Sequence, residues 1–169
     1  MAVSAGSYGS DIGIYVRGSC TWGADPREKV GFQLVRILVV DDNPTVRHYL
    51  RAILEQQCAW CVSEARTGEE ALCRVQDSPP DVVVLDFRMP DLNGLEVARE
   101  IGRQRPGIPI LMVTVHLSDQ LKAEAKAAGI LGFCAKSDIG SLVEAVDAVL
   151  RHESYFRAPV SEDGIGSEP

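Results

Sequence analysis

What this sequence lacks narrows its function before any motif is read. No apolar run is longer than a few residues, well short of the ~20 needed to cross a bilayer, so a soluble protein is expected. Positive charge is scarce: 17 basic against 24 acidic side chains leave a net charge of −7. Contact with nucleic acid or an anionic membrane needs a clustered basic face, and none is visible. The N-terminal stretch MAVSAGSYGSDIGIYVRGSC has neither a basic n-region nor a continuous apolar h-region, so it does not read as a secretory signal and a cytoplasmic location is expected. Cysteine is present in an odd set of five, Cys20, Cys58, Cys61, Cys73 and Cys134, which argues against a disulfide scaffold and for reduced thiols. Cys58 and Cys61 form a C-x-x-C, but no second pair or histidine pair completes a zinc site. Nor do they open a helix as a redox pair would, and they read as small residues around a strand.

What is present is a regular alternation of elements. A chain of 169 residues with 46% hydrophobic content suits one domain plus tails. Residues 1–33, rich in Gly and Ser and without a period, read as a flexible N-terminal extension. The folded domain is expected over 34–152. It opens with the buried strand Ile37 to Val40, then Asn43 as N-cap and Pro44 at the first helical position of a helix running to about Gln56. "AWCVSEA" is a second strand, and Thr67 with Glu70 reads as a capping box on the next helix. "DVVVLD" is a third strand, buried on both faces. Helix "GLEVAREIGRQ", strand "IPILMVT", the alanine-rich helix "DQLKAEAKAAG", strand "LGFCAK" and a helix from Ile139 to about His152 complete the series. This is an α/β pattern, (βα)5. Parallel strands need crossover helices on both faces, which gives a flavodoxin-like, doubly wound five-stranded parallel sheet with strand order 2-1-3-4-5. Residues 153–169, polar and punctuated by Pro and Gly, read as a disordered tail or linker stub.

A parallel sheet gathers its strand ends at one edge, where open α/β folds place their sites. The first strand delivers Asp41 and Asp42, the third Asp86, the fourth Thr114 and the fifth Lys136. Each alone is an ordinary strand-end or capping residue; together they are a constellation. Three clustered carboxylates raise one another's pKa unless a cation sits among them. Mg²⁺, which prefers carboxylate and carbonyl oxygens, suits them, with Mn²⁺ as a substitute. A carboxylate facing such an ion can attack a phosphoryl group, while the Lys136 ammonium and Thr114 hydroxyl meet the transferred oxygens.

The segments "VVDDNP", "VVVLDFRMPDLNG", "LMVT" and "GFCAK" resemble, in order and spacing, the receiver domain of two-component response regulators. The resemblance spans about residues 35 to 152, and "CAKSDIGSLVEAVDAVL" looks most like receivers of LuxR/NarL-type regulators. It implies Asp86 as phosphoacceptor and Asp41, Asp42, Asp86 and the main-chain carbonyl of Arg88 as Mg²⁺ ligands. It implies Thr114 and Lys136 as sensors of the phosphoryl group, Phe133 as the switch aromatic, and Arg88 and His116 as residues tuning the lifetime of the acyl phosphate. The implied partner is a histidine kinase or phosphotransfer protein; the response would be a change in the face of the fourth helix, fifth strand and fifth helix. The implied output is a downstream protein target, a missing output domain or a phosphorylation-dependent homodimer, with no nucleic acid bound by this chain itself. Such a protein is a self-phosphorylating and self-dephosphorylating signalling domain rather than an enzyme.

Two departures from the family pattern stand out. Ser137 follows Lys136 where many receivers have proline, and only 17 residues follow His152, fewer than the ~60 of a DNA-binding module. A natural single-domain regulator and the receiver portion of a longer one are both compatible with that. Three rival readings remain. A haloacid-dehalogenase-type phosphatase needs an acid two residues after its nucleophile, and Asn43 and Arg88 stand there instead. A flavodoxin-like cofactor binder needs a Gly/Ser/Thr-rich loop after the first strand, where acids stand. A receiver-fold interaction module without phosphorylation would differ only in failing to take the label.

Overall fold

The computed structural model of the chain describes residues 34–115 and 118–156. Strand and helix alternate throughout: β1 (Val35–Val40), α1 (Pro44–Leu54), β2 (Trp60–Ala65), α2 (Gly68–Asp77), β3 (Val82–Asp86), α3 (Gly94–Gln104), β4 (Ile110–Thr114), α4 (Asp119–Ala127), β5 (Gly132–Ala135), a 3-10 turn Ile139–Ser141, α5 (Leu142–Leu150) and β6 (Tyr155–Phe156). The strands form one sheet in the order β2-β1-β3-β4-β5-β6, every neighbouring pair parallel. The first five keep the expected order, and β6 adds a sixth.

Burial follows from the strands' position between two helical layers. All five residues of β3 and of β4 are buried, and strand alternation sends Val83 and Leu85 to one face and Val82 and Val84 to the other. The first face is covered by apolar positions of α2, α3 and α4, such as Val75, Ile101 and Leu121. The second is covered by Leu50 and Leu54 of α1 and the Leu142, Val146 and Val149 stripe of α5. α4 buries only Leu121 and Ala125 of its own nine residues, fewer than α2 or α3 of the same layer, so it is lightly anchored.

Local chemistry sets the helix starts. Asn43 accepts the Thr45 and Val46 N–H groups at 2.9 and 3.3 Å, with Pro44 in the first turn. Thr67 caps α2 by accepting the Glu70 N–H at 3.1 Å, but the Glu70 carboxylate takes the N–H of Arg66 at 3.0 Å. The reciprocal half of the expected box is therefore displaced by one residue. A complete box stands instead at α3, where Asn93 and Glu96 exchange bonds of 3.0 and 3.2 Å. The last helix starts later than expected, because Ile139–Ser141 turn as 3-10 before α5 begins.

β6 arises from how α5 ends. His152 adopts a left-handed conformation, φ 60°. The Glu153 N–H returns to the Ala148 carbonyl at 3.0 Å and the His152 N–H to the Val149 carbonyl at 2.9 Å, a Schellman motif that reverses the chain. Tyr155 then donates its N–H to the Leu131 carbonyl at 2.9 Å, and its side chain is buried. Gly132 makes the approach feasible, since a Cβ there would lie 2.8 Å from the Tyr155 carbonyl oxygen. Tyr155 and Phe156 thus belong to the sheet, although the sequence placed 153–169 wholly in a tail. The remainder of that tail and the extension 1–33 lie outside the described residues.

Candidate functional site

Because all six strands run parallel, Asp41 and Asp42 after β1, Asp86 at the end of β3, Thr114 at the end of β4 and Lys136 after β5 reach one edge of the sheet. Asp41 is fully buried. Its Oδ1 accepts the Asn43 N–H at 2.8 Å and its Oδ2 the Lys136 ammonium at 2.7 Å. The same Nζ lies 3.1 Å from Asp86 Oδ1, so one cation bridges carboxylates from the first and third strands. Asp42 is exposed at the mouth. Carboxylate oxygens of Asp41, Asp42 and Asp86 lie within 4.8 Å of one another.

Burial pushes the Asp86 carboxyl above the usual carboxylate range, and the Asp41 charge adds to the effect. The Lys136 hydrogen bond and charge and the Arg88 main-chain N–H oppose the rise without cancelling it. For Lys136, burial alone would lower the pKa; the hydrogen bonds and charges of Asp41 and Asp86 overcome it and hold the ammonium more firmly protonated than usual. Among the described residues the site sets three carboxylates, two of them buried, against the Lys136 ammonium.

The surrounding backbone is drawn tight. Gly94, the first residue of α3, packs against the nucleus of the site: a Cβ on it would lie 2.4 Å from the Asp86 carbonyl oxygen, and its N–H bonds the Phe87 carbonyl at 2.9 Å. The loop between β3 and α3 is tied back by Asp91, whose Oδ2 accepts the Gly68 and Glu69 N–H groups of α2 at 2.7 and 3.4 Å. Main-chain donors keep its carboxyl below the usual range even though burial opposes them.

Thr114 is buried, and its carbonyl accepts the Lys136 N–H at 2.8 Å. Phe133 is buried on the α4 side of the sheet, its ring 5.6 Å from that of Phe156 at 55°. The Lys126 ammonium of α4 sits 4.5 Å from the centre of the Phe156 ring. Arg88 is exposed two residues beyond Asp86. His116 lies outside the described residues. The sequence reading missed two contributors. Arg47 donates to the Asp41 carbonyl at 2.7 Å from only six residues along the chain, a side-chain-to-backbone contact that no spacing rule announces, and Asp91 anchors the loop across 23 and 22 residues.

Hard oxygen donors this close together, their charge only partly offset by the Lys136 ammonium, fit a small divalent cation. A family model described as the response regulator receiver domain matches residues 37–147. This chain belongs to that family. The chain is 33% identical over 131 residues to the response regulator UvrY of Escherichia coli K12, covering 76% of the chain and 60% of UvrY. It is 37% identical over 127 residues to the transcriptional activator protein ExaE of Pseudomonas putida, covering 74% and 59%. The chain therefore spans about 60% of the length of the curated relatives it matches. A crystal structure of a LuxR-family two-component response regulator from Aurantimonas superposes with a TM-score of 0.71 at 33% identity, over 75% of this chain and 91% of that one. A CheY-like receiver domain protein from Methanospirillum hungatei gives 0.66 at 28% identity, over 70% and 95%. The receiver is thus of the LuxR/NarL type, and among the described residues no helix is long and apolar enough to cross a membrane.

Proposed function

We propose that this receiver takes a phosphoryl group onto Asp86 from the phosphohistidine of a histidine kinase or phosphotransfer protein, in a Mg²⁺-dependent reaction set in the cytoplasm. The observation that carries the reading is the single ammonium of Lys136 spanning Asp41 and Asp86 beside an exposed third acid, Asp42. An Asp86 carboxylate oxygen forms the new bond to phosphorus as the phosphorus–nitrogen bond to the donor histidine breaks, and the imidazole leaves with that electron pair. Asp41, Asp42, Asp86 and the Arg88 main-chain carbonyl are the groups that would hold the metal. Bound Mg²⁺ would supply charge neutralisation for the transferring oxygens. Lys136 gives up its contact with Asp86 to meet a phosphoryl oxygen, and the Thr114 hydroxyl donates to another. Thr114 moving toward the phosphoryl group leaves room beside Phe133, and the α4–β5–α5 face repacks; the light anchoring of α4 supports this. Arg88 and His116 tune the lifetime of the acyl phosphate. The rearranged face serves a downstream protein, an attached output domain or a second copy of the chain.

The test is intact mass after incubation with acetyl phosphate and Mg²⁺. One added phosphoryl group is expected, absent in Asp86→Asn and absent when the metal is chelated. An unmodified mass under conditions that label a control receiver would convert the reading to an interaction module without phosphorylation.

A further inference from the structure

The Asp41–Asp42 peptide is gripped from outside the acid cluster. β1 makes its last rung with β2 through the Asp41 N–H to the Ala65 carbonyl at 3.2 Å. The Asp41 carbonyl, one atom group further on, is taken by a guanidinium N–H of Arg47 at 2.7 Å. Arg47 sits in the first turns of α1, and its side chain is only 15% exposed. Its Nε donates to Glu64 of β2 at 2.9 Å, and Arg51 reaches the other Glu64 oxygen at 3.3 Å. The guanidinium is therefore fixed from β2 while it holds the carbonyl that ends β1.

That carbonyl belongs to the planar peptide joining the two acids. Its direction sets the direction of the Asp42 N–H and, through it, where the Asp42 side chain leaves the backbone. Asp41 is fastened at its own carboxylate by Asn43 and Lys136. Asp42 is exposed and depends on its backbone for placement. From this geometry we infer that Arg47 is a positioning residue for the acid pair: it sets the affinity of the cluster for Mg²⁺ by fixing the Asp41–Asp42 peptide, without contacting the ion. The inference rests on the metal-binding reading given above. Its competitor is that Arg47 merely ties α1 to β2 through Glu64.

Three variants separate these. Arg47→Met removes both the grip on Asp41 and the tie to Glu64; Glu64→Gln weakens the tie and leaves the grip; Arg47→Lys keeps a cation that can reach one acceptor and guards against an unfolded variant. Mg²⁺ is titrated calorimetrically into each folded, metal-free protein, and thermal midpoints are recorded alongside. Groups that orient metal ligands typically change affinity by about 10-fold or more when removed. Arg47→Met is expected to weaken Mg²⁺ binding about 10-fold, Arg47→Lys to recover part of it, and Glu64→Gln to stay within about 2-fold of the parent. If Arg47→Met binds Mg²⁺ as the parent does, or Glu64→Gln loses as much as Arg47→Met, the inference falls while the metal site stands. If the parent itself binds no Mg²⁺, the metal-binding reading falls and the inference goes with it.

Discussion

Replacing Lys136 with methionine would remove the cation that bridges Asp41 and Asp86 while keeping most of the side-chain volume. Its Nζ lies 2.7 Å from Asp41 and 3.1 Å from Asp86, and the side chain is 16% exposed, so solvent screens the pair only slightly. Breaking a buried ion pair by deleting one partner costs about 3–5 kcal/mol, because the partner charge is left uncompensated. Here Asp41 retains the Asn43 N–H and Asp86 the Arg88 N–H, which places the loss near the lower end, about 3 kcal/mol. For a domain whose whole stability is about 5–15 kcal/mol that is a large fraction. The loss should depend on metal. In chelator the two carboxylates of Lys136→Met face each other without a cation; with excess Mg²⁺ the ion replaces the missing charge, and ligand linkage restores stability. Urea unfolding followed by circular dichroism, in chelator and in Mg²⁺, measures both. The expected result is a drop of about 3 kcal/mol in chelator that shrinks to below about 1 kcal/mol in Mg²⁺. An equal loss in both conditions, or none in either, would refute the electrostatic account of Lys136.

Asp86→Asn should stabilise the metal-free protein at pH 7 by about 1 kcal/mol, as relief of functional strain commonly does. The sign follows from burial raising the folded pKa of Asp86 above its unfolded value: its unfavourable contribution is full above the folded pKa and fades as pH falls through it, so the gap between parent and variant should narrow on acidification. A parent as stable as the variant at neutral pH would contradict this. His152→Gly should raise the urea midpoint, corresponding to about 1 kcal/mol, since φ is 60° there and glycine occupies that region without strain; an unchanged midpoint would mean the left-handed turn is not maintained in solution. Phe156→Ala deletes a ring that touches both Phe133 and Lys126 and should cost about 1 kcal/mol. An unaltered denaturation curve would show β6 to be only loosely attached.

Most of the architecture was legible because it rests on local pattern. Apolar runs that end in polar residues marked Ile37 to Val40, Val82 to Leu85 and Ile110 to Val113 as central strands, and parallel pairing then carried Asp41, Asp86 and Thr114 to one edge without further information. Asn43 followed by Pro44 marked a helix start because caps are short-range. What escaped was non-local. That Lys136 bridges Asp41 and Asp86 depends on residues brought together by the crossovers, and the reach of Arg47 to the Asp41 carbonyl, six residues away, is set by its anchor Glu64 on β2. β6 escaped for a different reason. The reversal after α5 uses His152 where a glycine would have announced it, and a two-residue strand has no period to detect. Its trace in the sequence was Gly132 inside a strand, a position that often marks close approach of another backbone. The shifted box at Thr67 shows the limit of spacing rules: Glu70 has the right offset, yet its carboxylate found the Arg66 N–H.

The central claim is that Asp86 receives the phosphoryl group, and the most direct measurement of it is chemical. Protein treated with acetyl phosphate and Mg²⁺ is reduced with borohydride, which converts an acyl phosphate on aspartate to homoserine, and the peptide covering residues 82–94 is sequenced by mass spectrometry. Homoserine at position 86, dependent on both phosphodonor and metal, is the predicted result. Homoserine at Asp41 or Asp42, or none anywhere while a control receiver is converted, would contradict it.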